Sequence, residues 1–240
     1  MTAIKATKKL NTFLNETLVT SHIQIVLIAD IISKITNYAG WSNLKEIFLE
    51  IVDILEKLLN INKLLFKEAE RSKRSATIIW KGFNRIALLL SQKANKTELF
   101  VSKKHFAFVL SKATHENVTI TCTDNELKQM EIIVLNSHQE ILNSSRVAAV
   151  VSLSSFSSEQ WFYVTAFSEP SLFVTPSLET VAVESVVLSV NFPYEKKAKN
   201  QVITVQLRPK GGFGSNDEVK CANWKQGLIR KTGNLVNFGV

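Results

Sequence analysis

The sequence predicts an α+β fold, with an N-terminal helical subdomain followed by an antiparallel β-sandwich subdomain. All four prolines lie after residue 169, and six of the eight glycines lie after residue 210. Because proline and glycine interrupt helices, their scarcity in the N-terminal part of the chain favours helices there. From about Glu98 the spacing of apolar residues changes to a period of two, which indicates strands. Helices first and strands later favour α+β over an alternating βαβ fold.

Three helices are expected in residues 1–92, arranged as a small antiparallel bundle. The first spans about residues 14–38 and ends before Gly40; it is apolar almost all round, which fits a helix contacted on more than one side. The second begins at Asn43, where Glu46 three residues later suggests a capping box, and carries an apolar stripe over residues 44–59. The third spans about residues 75–92.

Strands are expected throughout residues 93–240. Apolar and polar residues alternate at 106–110 and 118–122 in the manner of half-buried strands. Further β-rich runs lie at 131–135, 146–154, 160–165, 180–191 and 201–208. This many short strands with turn residues between them favours an antiparallel sandwich.

The charge of the chain is unevenly distributed. The net charge is +8, and residues 1–120 hold 18 Lys and Arg against 10 Asp and Glu, so the excess lies in the first half of the chain. It is densest around the connection between the second and third helices, at Lys67, Arg71, Lys73, Arg74, Lys81 and Arg85. Such a cluster suits a heparin-like polysaccharide or phosphate, or it is simply a solvated helix face. Few aromatic residues lie between these charges, so the pattern does not favour nucleic acid as a partner.

Catalytic and metal-binding patterns are not found in the sequence. The four histidines form no HxxxH or HExxH pair, and Cys122 and Cys221 match no zinc-ligand spacing. The glycine-rich residues 210–214 lack the Lys-Ser/Thr ending of a phosphate loop. We therefore expect neither a cofactor nor a metal. The apolar run at residues 23–35 is too short and too polar to cross a membrane.

Four tripeptides fit the acceptor pattern for N-glycosylation. They begin at Asn15, Asn95, Asn117 and Asn143. Chance alone produces about three in a chain of this composition, so their number does not by itself establish an extracellular location.

The last twenty residues carry a resemblance to a known family. Cys221 and Trp224 form a Cys-x-x-Trp pair, and residues 234–240 read Asn-Leu-Val-Asn-Phe-Gly-Val. These segments resemble the opening and the His-Leu-Thr-x-Phe-x-Val ending of the GPS motif of adhesion G protein-coupled receptors. Residues 146–153 and 184–190 are also similar to strands of the family's GAIN domain. The resemblance implies a GAIN subdomain A in residues 1–92 and a GAIN subdomain B in residues 93–240, with a degenerate GPS motif at 221–240.

In that family a histidine acts as general base and a Thr or Ser hydroxyl attacks the preceding Leu carbonyl, which cuts the chain. Asn234 stands at the histidine position, Leu235 keeps its place, and Val236 stands at the nucleophile position. An amide is not a general base near neutral pH, and an isopropyl group has no attacking atom. Self-cleavage is therefore expected to be lost. The remaining GPS cysteines are also absent, so a Cys122–Cys221 disulfide is a hypothesis that needs close Cα approach.

The resemblance implies an extracellular GAIN-like domain at the cell surface, part of a longer membrane protein. Its last strand, formed by Val236, Asn237, Phe238, Gly239 and Val240, would be a shielded activating segment for the transmembrane region of the same receptor, and an extracellular protein or polysaccharide is the expected ligand class. Two alternatives stay open. One is a GAIN-like domain of a polycystin-type membrane protein. The other is a soluble polysaccharide-binding or adhesion module that uses the basic helical connection.

Overall fold

The computed structural model describes residues 2–40, 43–93, 98–113, 118–124, 129–135, 147–154, 161–169, 171–173, 186–193, 202–207, 222–225 and 228–231. Its helices are α1 (Ala3–Glu16), α2 (His22–Asn37), α3 (Leu44–Leu59), α4 (Lys63–Lys73) and α5 (Ser75–Lys93). Its strands are β1 (Leu99–Ser102), β2 (Phe106–Lys112), β3 (Val118–Asp124), β4 (Met130–Leu135), β5 (Val147–Ser154), β6 (Trp161–Phe167), β7 (Val187–Asn191), β8 (Val202–Leu207), β9 (Ala222–Lys225) and β10 (Leu228–Lys231). The predicted α+β class, with helices first, is confirmed.

The chain divides into two compact units. The first contains the five helices together with residues 171–173 and strands β9 and β10. The second contains β1 to β8. Residues 171–173, which lie between β6 and β7 in the sequence, and the β9–β10 pair, which follows β8, therefore belong with the helices.

The expected single helix at 14–38 is wrong, because the structure has two helices there. Helix α1 ends where Thr17 takes an extended conformation, with φ −122° and ψ 125°. Helix α2 begins with a capping box: the Ser21 hydroxyl accepts from the Gln24 N–H, and the Gln24 side chain accepts from the Ser21 N–H. These two hydrogen bonds satisfy backbone N–H groups that have no partner within the helix at its N-terminus. The capping box therefore stabilises the start of α2 as a helix separate from α1.

The start of α3 also differs from the expectation. Asn43 is the N-cap residue, but its side chain makes no capping hydrogen bond. Glu46 forms an ion pair with Lys8 of α1 at 2.6 Å. One turn further along α3, Glu50 accepts a hydrogen bond from the Asn11 amide at 2.7 Å. The predicted capping box is therefore wrong, because Glu46 is engaged with α1.

Helix α4 was not predicted as a helix, because its charged sequence resembles a connection. Only Phe66, Ala69 and Glu70 of its side chains are buried. It ends at Arg74, which adopts the left-handed conformation with φ 54°. Left-handed caps commonly end helices, and this one allows α5 to begin at the next residue.

The helical core is built on the predicted stripes of α3 and α5. Phe48 and Phe83 are fully buried, with ring centroids 5.7 Å apart. Gly82 lies where α5 comes close to α2: a Cβ at this position would meet Ile32 Cγ2 at 2.9 Å. A larger residue would therefore force the two helices apart.

The second unit is a two-sheet antiparallel sandwich. One sheet has the strand order β1-β2-β6-β7 and the other β4-β3-β5-β8. Inward residues of both sheets form one apolar core, which includes Val109, Ile120, Val151, Phe162 and Val164. Runs predicted at 106–110, 118–122, 131–135, 146–154, 160–165 and 201–208 fall on β2, β3, β4, β5, β6 and β8. The run predicted at 180–191 coincides with β7 only at 187–191, and 180–185 lie outside the described residues.

Strand β2 differs from the predicted half-buried pattern, because both of its faces are buried. Ala107 and Val109 belong to the sandwich core, while Phe106 and Phe108 on the opposite face are also at most 1% exposed. The Phe106 and Phe167 rings lie 5.0 Å apart at an angle of 60°, an edge-to-face geometry that aromatic pairs favour.

Candidate functional site

The predicted site at the end of the chain begins on the β9–β10 strand pair. Strand β9 contains Trp224 of the predicted Cys-x-x-Trp pair, whose backbone lies opposite Ile229 of β10. The two strands are antiparallel, with Leu228 opposite Lys225. The backbone of this part of the predicted motif is therefore a strand. β10 ends at Lys231, three residues before Asn234.

The chemically important positions of this site lie outside the described residues. These are Cys221, the degenerate cleavage positions Asn234, Leu235 and Val236, and the rest of the activating segment, Asn237, Phe238, Gly239 and Val240. Their predicted roles stay predictions.

Cys122 is buried in β3, at 2% exposure. It lies opposite Ile132 of β4 and Ala149 of β5, and the register with β5 shifts immediately after it. Its side chain belongs to the sandwich core. The hypothesised bond to Cys221 stays a prediction.

Asn15 is the one predicted glycosylation site within the described part of the chain. It is exposed near the end of α1, and Thr17 of its sequon follows as the C-cap residue. Asn95, Asn117 and Asn143 lie outside the described residues.

The α4–α5 junction holds a buried carboxylate that the sequence patterns did not indicate. Glu70 is 2% exposed. Its Oε2 accepts from the Thr77 N–H at 3.0 Å, and its Oε1 accepts from the Thr77 hydroxyl at 2.6 Å. The first turn of a helix has amide donors without intrahelical partners, and Glu70 supplies an acceptor from the preceding helix. A buried charged residue held in this way has a structural role.

The predicted basic residues lie on α4, on α5 and at their junction. Arg71, Lys73, Arg74, Lys81 and Arg85 are exposed, and Lys67 is half-buried. The Arg85 guanidinium donates to Asn37 Oδ1 of α2 at 2.7 Å. Most of these charges therefore face solvent.

A segment distant in sequence also belongs to the helical unit. Ser171, Leu172 and Phe173 are buried, and the Phe173 ring meets Trp80 of α5 edge-on at 5.5 Å. The Ser171 hydroxyl donates to the Leu59 carbonyl at 3.5 Å. Sequence reasoning did not indicate this packing, because no local pattern links residue 173 to residue 80.

Helix α2 presents an apolar face to solvent. Ile23, Leu27 and Ile31 follow one another at intervals of four and are 40–60% exposed. The sequence predicted a helix contacted on more than one side, but this apolar side of α2 is exposed.

Two of the histidines are placed. His22 lies 3.3 Å from Glu68, and His105 Nδ1 lies 3.2 Å from the Ser168 hydroxyl. Over the described ranges, no three His, Cys, Asp or Glu side chains group in a way that would hold a metal ion. Within the same ranges, every helix is too short or too polar to span a membrane.

Comparison with known proteins bears on both units. Residues 1–89 match a family model described as "ADGRA3-like, GAIN domain". Among solved structures, the full extracellular region of zebrafish Gpr126/Adgrg6 matches with a TM-score of 0.70 over 94% of this chain, at 14% sequence identity. The resemblance to a GAIN domain is confirmed. No curated protein sequence matches the chain.

The two comparisons support different statements. The family model relates the sequence of the helical part to a GAIN domain. At 14% identity the structural match establishes that the chain has the fold found in the Gpr126/Adgrg6 extracellular region. The chain spans 30% of that extracellular region.

Proposed function

We propose that the chain is an extracellular GAIN domain of an adhesion G protein-coupled receptor that does not cleave itself and holds residues 236–240 as its last strand. The observation that carries the proposal is the match of residues 1–89 to a GAIN family model. The antiparallel sandwich that follows in β1 to β8 supports it, because the chain has a fold similar to that in the Gpr126/Adgrg6 extracellular region.

The loss of cleavage follows from the chemistry of two side chains. Asn234 offers no base at the position where the family has a histidine, and Val236 offers no hydroxyl or thiol. Without these groups the Leu235 carbonyl is not attacked. The segment after Leu235 then stays covalently joined to the domain.

In this proposal the terminal segment is an activating sequence that the domain shields. The segment follows β10 after only a few residues, so the β9–β10 pair leads directly into it. Its partner is the transmembrane region of the same receptor. Because the segment stays covalently attached, exposing it requires local opening of the domain.

The predicted glycan at Asn15 is testable. Asn15 is exposed, so a chain that passes through the secretory pathway is expected to carry a glycan there. Enzymatic removal of N-glycans should increase the electrophoretic mobility of the chain secreted from eukaryotic cells. Asn15→Gln should reduce this increase in mobility. A secreted chain whose mobility does not change after the treatment would contradict the predicted glycan.

Cleavage is tested with a chain that carries one tag before Met1 and another after Val240. We expect a single denatured band that contains both tags. The matched control replaces residues 234–236 with the recognition sequence of a site-specific protease, and its treatment should release the second tag. Release of that tag from the unmodified chain between Leu235 and Val236 would overturn the proposed loss of cleavage.

Receptor membership is tested on the transcript. We expect the reading frame to continue past Val240 into seven membrane spans. Eleven spans would instead favour the polycystin-type alternative, and an early stop codon would favour the soluble adhesion module.

A further inference from the structure

Helix α2 carries two charged residues within its exposed apolar side. Ile23, Leu27 and Ile31 are exposed and follow one another at intervals of four. Asp30 and Lys34 are also exposed. Each of them lies three residues after one of these apolar residues, which places all five on the same side of the helix. We call these five residues the α2 face.

The two charges of the α2 face have no partner within the described part of the chain. Asp30 and Lys34 are four residues apart, a spacing at which opposite charges can pair on a helix. Among the residues that the structure describes, however, neither side chain forms an ion pair. The α2 face therefore offers an anion and a cation, one helical turn apart, beside exposed apolar side chains.

The other side of α2 already anchors the helix in its unit. Four isoleucines there are buried, namely Ile25, Ile28, Ile32 and Ile35. A surface helix normally has polar residues on the side away from its core. Three exposed aliphatic residues in one row therefore indicate a contact with another molecule.

The order of the charges makes the α2 face complementary to a second copy of itself. A two-fold axis perpendicular to α2 makes the two copies of the helix antiparallel. If the axis passes midway between residues 30 and 34, Asp30 of each copy lies level with Lys34 of the other. Two opposite-charge pairs form in this way, whereas a parallel pair of helices would bring like charges together.

The same register also brings apolar residues together. The two copies of Ile31 lie close to the axis, on either side of it. Leu27 of each copy lies near Tyr38 of the other, and Tyr38 is exposed. The Tyr38 N–H still donates to the Lys34 carbonyl at 3.1 Å, as in a helix, so this residue continues the row on α2.

A lipid surface suits the α2 face less well. Asp30 lies between Leu27 and Ile31 in the sequence and on the same side of the helix. Insertion of those apolar side chains into lipid would take the carboxylate out of water without a partner, which is unfavourable. Helices that lie on membranes instead carry Lys and Arg on their polar side.

We propose that the α2 face mediates self-association of this chain as an antiparallel two-fold dimer. The face is smaller than the interfaces of permanent dimers, so the association is weak and reversible. It involves neither the cleavage positions nor residues 236–240, and thus goes beyond the proposed function.

Light scattering of the whole chain measures the association. Concentrations up to about 1 mM are used, because contacts of small area have Kd values in the micromolar to millimolar range. The mean mass of the parent chain should rise with concentration. Asp30→Lys and Lys34→Glu each bring like charges together twice in a symmetric dimer, and each should raise the Kd by about 10-fold. An equimolar mixture of these two variants should associate about as strongly as the parent, because each charge again meets its opposite.

Matched controls separate the α2 face from general effects of charge and apolar surface. Lys9→Glu makes the same change of charge at an exposed position of α1 and should keep the Kd of the parent. Leu27→Gln should weaken the association, whereas Leu64→Gln, at an exposed position of α4, should not. Lys34 lies in the last turn of α2, where a cation suits the helix dipole. Thermal melting of each variant therefore verifies that the fold is intact.

Four outcomes would overturn the proposal. The first is a parent chain that stays monomeric throughout this range. The second is equal weakening by Lys34→Glu and Lys9→Glu, since net charge would then control the association. The third is a mixture of Asp30→Lys and Lys34→Glu that associates no better than either variant alone. The fourth is a monomeric parent that binds vesicles of phosphatidylcholine and phosphatidylserine through Leu27. None of them affects the cleavage experiment, so failure of this inference and failure of the proposed function are distinguishable.

Discussion

The Glu70 carboxylate caps helix α5 through Thr77. One oxygen accepts from the Thr77 N–H at 3.0 Å and the other accepts from the Thr77 hydroxyl at 2.6 Å. Arg74 makes this arrangement possible, because its left-handed conformation turns the chain between α4 and α5. Helices α4 and α5 are thus joined by the turn at Arg74. They are also linked by the buried Glu70 carboxylate of α4, which accepts hydrogen bonds from Thr77 of α5.

Replacing Glu70 with alanine should destabilise the protein by about 1–3 kcal/mol, because buried donors lose their acceptors. Glu70→Gln should cost less, since one amide oxygen can still accept. The measurement is the free energy of unfolding in urea. Glu68→Ala is the matched control: Glu68 is 57% exposed in its pair with His22, and exposed pairs contribute at most about 1 kcal/mol. Equal effects at Glu68 and Glu70 would contradict the capping role.

Gly82→Ala should destabilise the protein although alanine is the better helix former. The substitution gains about 1 kcal/mol in helix propensity, but the new methyl group would lie 2.9 Å from Ile32 Cγ2. Overpacking of this kind costs about 1–3 kcal/mol. Gly40→Ala is the matched control, since a Cβ there meets no atom within 4 Å. A melting temperature that rises in the Gly82 variant would show that α2 and α5 can move apart at little cost.

Tyr163 should make stability fall in alkaline solution. Burial raises the pKa of its phenol to about 12 from the ordinary value of 10.0. The folded-state pKa lies above the unfolded one, so the phenol does not reduce stability below pH 10, and stability is lost as the pH rises from 10 towards 12. Urea unfolding between pH 9 and 12 measures this loss, which Tyr163→Phe should lessen. Tyr38→Phe, at an exposed position, should leave the pH profile unchanged.

Phe238 should be the main apolar anchor of the proposed last strand. In a strand, Val236, Phe238 and Val240 share one face, while Asn237 and Gly239 lie on the other. Truncating a buried phenylalanine costs about 3–5 kcal/mol, so Phe238→Ala should lower the melting temperature clearly. Asn237→Ala should have little effect. If neither substitution changes the melting curve, the segment is not an inserted strand.

The periodic parts of the fold were predictable from the sequence. The stripe at 44–59 predicted α3, because burial of one side of a helix requires that spacing. The alternation at 106–110 predicted the strand β2 but not the burial of both of its faces. The break between α1 and α2 was missed, although Ser21 and Gln24 carry a local capping signal. Helix α4 was missed because two apolar side chains, Phe66 and Ala69, are enough to anchor it.

For the candidate site, the sequence by itself supplied the predicted motif and its expected loss of cleavage chemistry, since Asn234 and Val236 can be read directly. The tertiary structure decided which distant residues meet. Phe173 packs on Trp80, and Glu46 pairs with Lys8 and not with its own helix N-terminus. Such contacts depend on how separate elements come together in space. Residue types and spacing determine local structure and available chemistry, whereas long-range pairing is selected by packing of the whole chain.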